Sequence, residues 1–186
     1  MKIIPTSIPG VLIVEPVLFT DRRGYFMESY NKKKFAAQGI DIHFVQDNQS
    51  KSEYGVIRGL HYQLNPFAQT KLVRVLEGSI YDVAVDIRHG SPTFGQWIGV
   101  ELSAENNRQL LVPKGFAHGF SVLSPVATVF YKCDNVYNPD AERGILFSDP
   151  MLNISWQIAK GKEVISGKDK NHPVLEKAEI NFIFEK

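Results

Sequence analysis

Short apolar runs, each cut off by turn residues, leave this chain few ways to fold. Segments rich in Val, Ile, Leu, Phe and Tyr recur with turn signals at spacings of about 8–12 residues, the rhythm of an all-β sandwich or barrel. The pattern predicts strands over Val11–Phe19, Gly24–Ser29, His43–Asn48, Val56–Gln63, Lys71–Glu77 and Ser79–Arg88. It predicts further strands over Trp97–Leu102, Gln109–Val112, Gly119–Leu123 and Ala127–Cys133. One helix is expected over Lys32–Gln38, with Asn31 as N-cap and Gly39 just past its end. The 14 glycines and 10 prolines are scattered, with no linker-like run, low-complexity segment or fixed-period repeat. From Asn138 onward the periodicity weakens, and this C-terminal third is expected to wrap the main body.

At 186 residues the chain fits a single domain, long enough to bury a core without covalent staples. Lys and Arg total 21 and Asp and Glu total 20, a net charge of +1. That balance lacks the basic field of phosphate-driven nucleic-acid binding, while leaving room for a local basic pocket. Cys133 is the single cysteine, so an intrachain disulfide is excluded and a reducing compartment is expected. The N-terminal residues lack the apolar stretch of a signal peptide, and no run approaches the roughly 18 apolar residues that span a bilayer. A soluble cytoplasmic protein, bound to neither membrane nor nucleic acid, is the expectation.

Strand parity adds chemistry. Over Ser79–Arg88, residues Val83, Val85 and Ile87 point one way and Asp82, Ala84, Asp86 and Arg88 the other. Tyr131 shares a face with Val129 and Cys133, and His61 with Gly59 and Gln63. Polar groups on otherwise apolar strands fit either a ligand cavity or a solvent-facing sheet. Both readings stand at this point.

Two of the five histidines sit in informative surroundings. His118 closes Pro113-Lys114-Gly115-Phe116-Ala117-His118, the P-x-G-x-x-H pattern seen in cupin jelly rolls. His61 lies in Arg58-Gly59-Leu60-His61-Tyr62-Gln63. Metal-binding cupins pair two close histidines with a Glu, whereas here the second position is Gln63 and the next carboxylate, Glu77, is fourteen residues further on. Two imidazoles without a matched carboxylate make a poor transition-metal site. The residues by themselves fit hydrogen-bonded core histidines or a metal-free general base. Lys71, at a strand start, is either solvated or, facing a cavity, a donor suited to a developing oxyanion. Tyr131 fits an amphipathic core residue or a general acid, and Asp169 a surface turn.

Taken in order, the segments resemble the dTDP-4-dehydrorhamnose 3,5-epimerase family. The resemblance runs from Asp21-Arg22-Arg23-Gly24-Tyr25-Phe26-Met27-Glu28-Ser29-Tyr30 through Phe44-Val45-Gln46-Asp47-Asn48-Gln49-Ser50 to the segment around His61. It continues through Lys71-Leu72-Val73-Arg74, Asp82–Arg88, Ser91-Pro92-Thr93-Phe94-Gly95, Pro113–Phe120 and Tyr131-Lys132. It implies a cupin-type jelly-roll or β-sandwich, with a core of about residues 40–135 and terminal extensions packed on it, usually assembled as a homodimer. It implies no cofactor, neither metal nor nicotinamide. The implied substrate is dTDP-4-dehydro-6-deoxy-α-D-glucose (dTDP-4-keto-6-deoxyglucose), inverted at C3 and C5 on the route to dTDP-L-rhamnose; a relative inverting one centre shares the same motifs.

By the same resemblance His61 is the base, Asp169 its carboxylate partner, Lys71 the stabiliser of the enolate at O4 and Tyr131 the acid on the opposite face. His118 is expected near the sugar. Arg23 and Arg58 are expected at the diphosphate and sugar, with Glu28, Gln46, Asp47, Asn48, Glu142 and Lys168 completing the contacts. Tyr137 is expected to stack on thymine, with Phe26 nearby. After Trp156 the resemblance loosens.

Overall fold

A computed structural model describes residues 1–185. Its strands are β1 (Lys2–Pro5), β2 (Leu12–Glu15), β3 (Leu18–Asp21), β4 (Gly24–Met27), β5 (Gln46–Glu53), β6 (Val56–Gln63) and β7 (Lys71–Glu77). They continue with β8 (Ser79–Asp86), β9 (Trp97–Ser103), β10 (Gln109–Val112), β11 (Phe116–Val122), β12 (Val126–Cys133), β13 (Glu142–Gly144) and β14 (Val164–Ile165). Two short helices, α1 (Lys32–Ala36) and α2 (Gly167–Lys170), accompany them.

The strands form two sheets, ordered β1-β2-β10-β7-β12-β5 and β13-β6-β11-β8-β9, with β14 added in parallel to β6 and β3–β4 a separate hairpin. The expected all-β sandwich is thus present. Between the sheets lies an apolar layer including Val73, Val75, Leu110 and Val129 from the first and Ile80, Ala84, Val100 and Phe120 from the second. The second sheet is buried on its outer face as well. There Ile57, Leu60, Val83, Val85 and Ile87 pack under Ile145, Trp156, Leu175 and Phe182 of the C-terminal third. That double burial explains why β11 is buried along its whole length. On the first sheet's outer face, Phe35 of α1 and Ile40 pack against Val14, Leu72 and Leu111.

Several boundaries differ from the sequence reading. The predicted strand Val11–Phe19 is broken between β2 and β3, at Pro16, which has no N–H for a ladder. The expected strand at His43 begins at Gln46 and runs on to Glu53, and β11 starts at Phe116 rather than Gly119. The helix ends at Ala36, capped by Asn31, whose Oδ1 accepts from the Lys34 N–H at 3.2 Å. Strands β1, β13 and β14 and helix α2 lie outside the elements that the pattern predicts.

The irregularity that matters most is in β6. Its register with β11 shifts between the pairs His61–His118 and Arg58–Phe120, so three steps along β6 match two along β11. The extra residue is a β-bulge at Gly59–Leu60. It reverses side-chain parity, so Arg58 and His61 open onto the same cleft although they are three positions apart, an odd step along the strand. Gly59 has φ +124°, and a Cβ there would meet the Gly119 Cα at 2.5 Å. Only glycine fits this close approach of β6 to β11.

Candidate active site

A cleft of about 490 Å³ opens between the two sheets. Lys71 on β7 and Tyr131 on β12 line it from the first sheet, Arg58 and His61 on β6 and His118 on β11 from the second, and Lys168 and Asp169 of α2 close one side. A second hollow of about 210 Å³ shares His61, Lys71 and Tyr131 and extends to Gln46, Asn48, Tyr137 and Glu142. His61 and Tyr131 therefore face a cavity, one of the two readings their parity left open, whereas Asp82, Asp86 and Arg88 do not line it.

His61 and Asp169, 108 residues apart, meet through Nε2 and Oδ1 at 2.7 Å. Asp169 is 3% exposed, which overturns its reading as a surface turn. It is held in α2, whose N-cap Ser166 accepts from the Asp169 N–H at 3.0 Å, and its Oδ2 accepts from the Gly59 N–H at 3.3 Å. Burial pushes the Asp169 carboxyl up, but the hydrogen bond and charge of His61, the Gly59 N–H and nearby His172 together hold it below 3.8. An ionised carboxylate only accepts, so His61 Nε2 carries the proton and Nδ1 the basic lone pair. Such a pair is the ordinary construction of an oriented imidazole base.

On the opposing sheet, Lys71 is not the solvated residue that a strand start suggested. Burial draws its pKa below 10.5, against the opposing pull of Cys133, Asp82 and Glu142. Tyr131 is pushed above its usual 10.0 by burial, so its phenol keeps its proton at neutral pH. Burial also lifts the Cys133 thiol to about 11, leaving it a neutral packing group.

His118 Nε2 bonds Asp82 Oδ1 at 2.8 Å, both side chains nearly inaccessible. The sequence reading placed Asp82 on the right strand but gave it no role. Its signal was parity: a carboxylate on the same face as Ala84, pointing into the core.

At the cleft mouth, Glu142 Oε2 accepts from the Tyr137 hydroxyl at 2.7 Å and from the Lys168 ammonium. The loop carrying Tyr137 is clamped by two glutamines. Gln46 Oε1 accepts the Tyr137 N–H at 2.9 Å, and Gln63 Oε1 accepts the Asn138 N–H at 2.7 Å. Gln46 therefore orients the loop, and Gln63 is a positioning residue absent from the expected set. Arg58 is steadied by its Nε bond to Ser52 Oγ at 3.0 Å.

Four expected contacts lie elsewhere. Asp47 alternates with Gln46 and Asn48 on β5, faces away from the cleft and pairs with Lys132 at 2.9 Å. Arg23 and Phe26 sit on the exposed β3–β4 hairpin, over a separate hollow, and Arg23 pairs with Asp21. Glu28 pairs with Lys34, next to α1.

A family model described as dTDP-4-dehydrorhamnose 3,5-epimerase matches residues 5–177. The chain belongs to the dTDP-4-dehydrorhamnose 3,5-epimerase family. Within it, the Shigella flexneri dTDP-4-dehydrorhamnose 3,5-epimerase is 58% identical over 172 residues, 92% of this chain and 94% of that one. A Legionella pneumophila epimerase solved with dTDP-4-keto-L-rhamnose is 50% identical with a TM-score of 0.91, over 95% of this chain and 93% of that one. ChmJ of Streptomyces bikiniensis, a 3'-monoepimerase solved with dTDP-quinovose, is 36% identical with a TM-score of 0.86, over 92% and 87% of the two chains. The family's members are isomerases, and the sandwich is of the cupin type. No helix among the described residues is long and apolar enough to cross a membrane.

Proposed function

We propose that this epimerase inverts C3 and C5 of dTDP-4-dehydro-6-deoxy-α-D-glucose to give dTDP-4-dehydro-β-L-rhamnose. The observation that carries the reading is the cleft itself: an imidazole on one sheet paired with a carboxylate of α2, and a phenol and an ammonium on the other sheet. C3 and C5 both flank the C4 ketone, which acidifies the proton on each carbon. His61 Nδ1 takes that proton, and the electron pair of the broken C–H bond moves into the ring as an enolate with its charge on O4. Asp169 keeps the ring oriented and favours the imidazolium that forms. Lys71 stabilises the enolate oxygen, a contribution of about 3–4 kcal/mol for a preorganised donor. Tyr131 returns a proton to carbon from the other sheet's side, and the centre inverts. The second carbon uses the same ketone, and the sugar keeps its oxidation state, so no redox cofactor takes part.

Arg58, Lys168, Tyr137, Asn48 and Glu142 bind the nucleotide, the cations taking the diphosphate and Tyr137 stacking on thymine. Arg23 and Phe26 belong to the same task in a homodimer, where the exposed hairpin of one protomer reaches the cleft of its partner. The exposure of Phe19 (62%) and Phe26 (68%) on that hairpin supports this arrangement. The protein works in the cytoplasm as one domain, its extensions packed on the sandwich.

Incubating the enzyme with the 4-keto nucleotide sugar in heavy water tests the reading. Deuterium is expected at both C3 and C5, and His61→Asn is expected to abolish exchange. Label at C3 alone would assign the chain to the monoepimerase class, and label at neither carbon would falsify the proposal.

A further inference from the structure

Beside the catalytic pair lies a third group that the proposed mechanism does not use. His172, just past α2, is largely buried, and its Nε2 finds no hydrogen-bond partner. That nitrogen is 3.5 Å from Asp169 Oδ1, and the ring stands edge-on to His61 with centroids 5.6 Å apart. It occupies space left by Gly144, where a Cβ would come within 2.4 Å of His172 Nε2. His61, Asp169 and His172 thus each offer one ligand atom, all within 4.8 Å of one another.

We propose that these three side chains form a site for one divalent transition-metal ion of the zinc class, and that the ion inhibits the enzyme. Two imidazoles and one carboxylate make a ligand set suited to zinc, cobalt or nickel rather than magnesium or calcium. Around a tetrahedral ion with bonds of about 2.0–2.1 Å, ligand atoms stand roughly 3.3 Å apart. The separations of 2.7 Å and 3.5 Å about Asp169 Oδ1 bracket that value. Entry is from the cleft, which His61 and Asp169 line.

Inhibition follows from proton placement, and this step rests on His61 being the base. An ion bound at Nε2 displaces the proton now shared with Asp169. A neutral, ε-coordinated imidazole then carries its single proton on Nδ1. No proton is lost from the ring, but the nitrogen that should accept from carbon is already occupied. The Asp169 carboxylate, turned to the metal, no longer supports an imidazolium.

The test titrates the metal-free full-length protein with zinc chloride alone, by calorimetry in a non-coordinating buffer, and repeats it on His172→Asn. One ion per chain is expected in the wild type, with affinity at least tenfold weaker in the variant. Cobalt in place of zinc should give the intense visible bands of four-coordination. Nitrogen-15 NMR of the wild-type imidazoles should show the His61 proton move from Nε2 to Nδ1, a readout independent of how the variant folds. Solvent deuterium exchange into substrate should be lost at the zinc occupancy seen by calorimetry, be restored by a chelator, and be spared in His172→Asn. Absence of stoichiometric uptake, uptake undiminished in the variant, or uptake without loss of exchange would each overturn the inference. Because the binding arms contain no substrate, they stand or fall apart from the epimerase reading.

Discussion

Lys71 and Tyr131 are diagonal neighbours on β7 and β12, with the ammonium 5.9 Å from the centre of the phenol ring. The shared burial moves the two groups in opposite senses, Lys71 below 10.5 and Tyr131 above 10.0. Burial disfavours the charged form of both, drawing the loss of the lysine's charge towards neutral pH and the loss of the tyrosine's proton away from it. Turnover is expected to fall on the alkaline side through the titration of Lys71. Lys71→Met should reduce kcat by about 10²–10³-fold at neutral pH. Lys71→Arg, whose guanidinium stays charged throughout the accessible pH range, should be slower but free of that alkaline limb. A pH–rate profile of the two variants checks both, and an unchanged limb in Lys71→Arg assigns it to another group.

Arg23 offers a test of the assembly. Alone, Arg23→Ala should raise KM and leave kcat less affected, while His61→Asn should be inactive. If the hairpin serves the partner's cleft, mixing the two inactive or weakened proteins regenerates one native site in each hybrid dimer. Activity at low substrate should then climb towards about a quarter of the wild-type value. No recovery after subunit exchange would mean that Arg23 serves its own chain or none.

Gly59 carries the bulge that brings Arg58 and His61 to one side of β6. Gly59→Ala forces a Cβ to within 2.5 Å of the Gly119 Cα and 2.8 Å of the His118 carbonyl, at a positive φ. Neither contact is a flexible side-chain end, so the strands must separate. The variant is expected to lose at least about 1–3 kcal/mol of stability and most of its activity, seen as a lowered Tm together with a lowered kcat. A wild-type Tm would show that β6 and β11 can move apart freely.

Asp86 belongs to a motif whose role is structural. Fully buried, its carboxylate accepts from Arg88 Nε at 2.9 Å, from a further Arg88 nitrogen at 2.7 Å, and from Ser91 Oγ and Thr93 Oγ1 at 2.6 Å each. Burial raises its pKa, but those four bonds and the Arg88 backbone N–H prevail and hold it below 3.8. A carboxyl more acidic when folded than when unfolded stabilises the fold above the unfolded value, and the contribution fades as pH falls through the folded one. Asp86→Asn should therefore cost about 3–5 kcal/mol at neutral pH, leaving Arg88 unpaired. The gap between variant and wild-type Tm should narrow below pH 4, and a gap constant with pH would remove the carboxylate from the account.

The sequence carried a good deal of this protein unaided. Strand edges such as Val56–Gln63, Lys71–Glu77 and Gln109–Val112 match the observed β6, β7 and β10, because alternation and turn residues are local properties of the chain. His61, Lys71, Tyr131 and His118 could each be singled out in the sequence, but taken alone each also fitted a core or solvated residue, and only the resemblance to the family pointed to one shared site. What the sequence left open is whatever depends on distant segments meeting. Asp169 looked like a loop residue until α2 folded over β6 and buried it against His61. Asp47 looked equivalent to Gln46 and Asn48 until strand parity turned it outward onto Lys132. The face shared by Arg58 and His61 depends on a bulge, which an alternating pattern does not encode. Local chemistry wrote the strands; their pairing across the sandwich decided which polar groups escape water and which of them share a cleft.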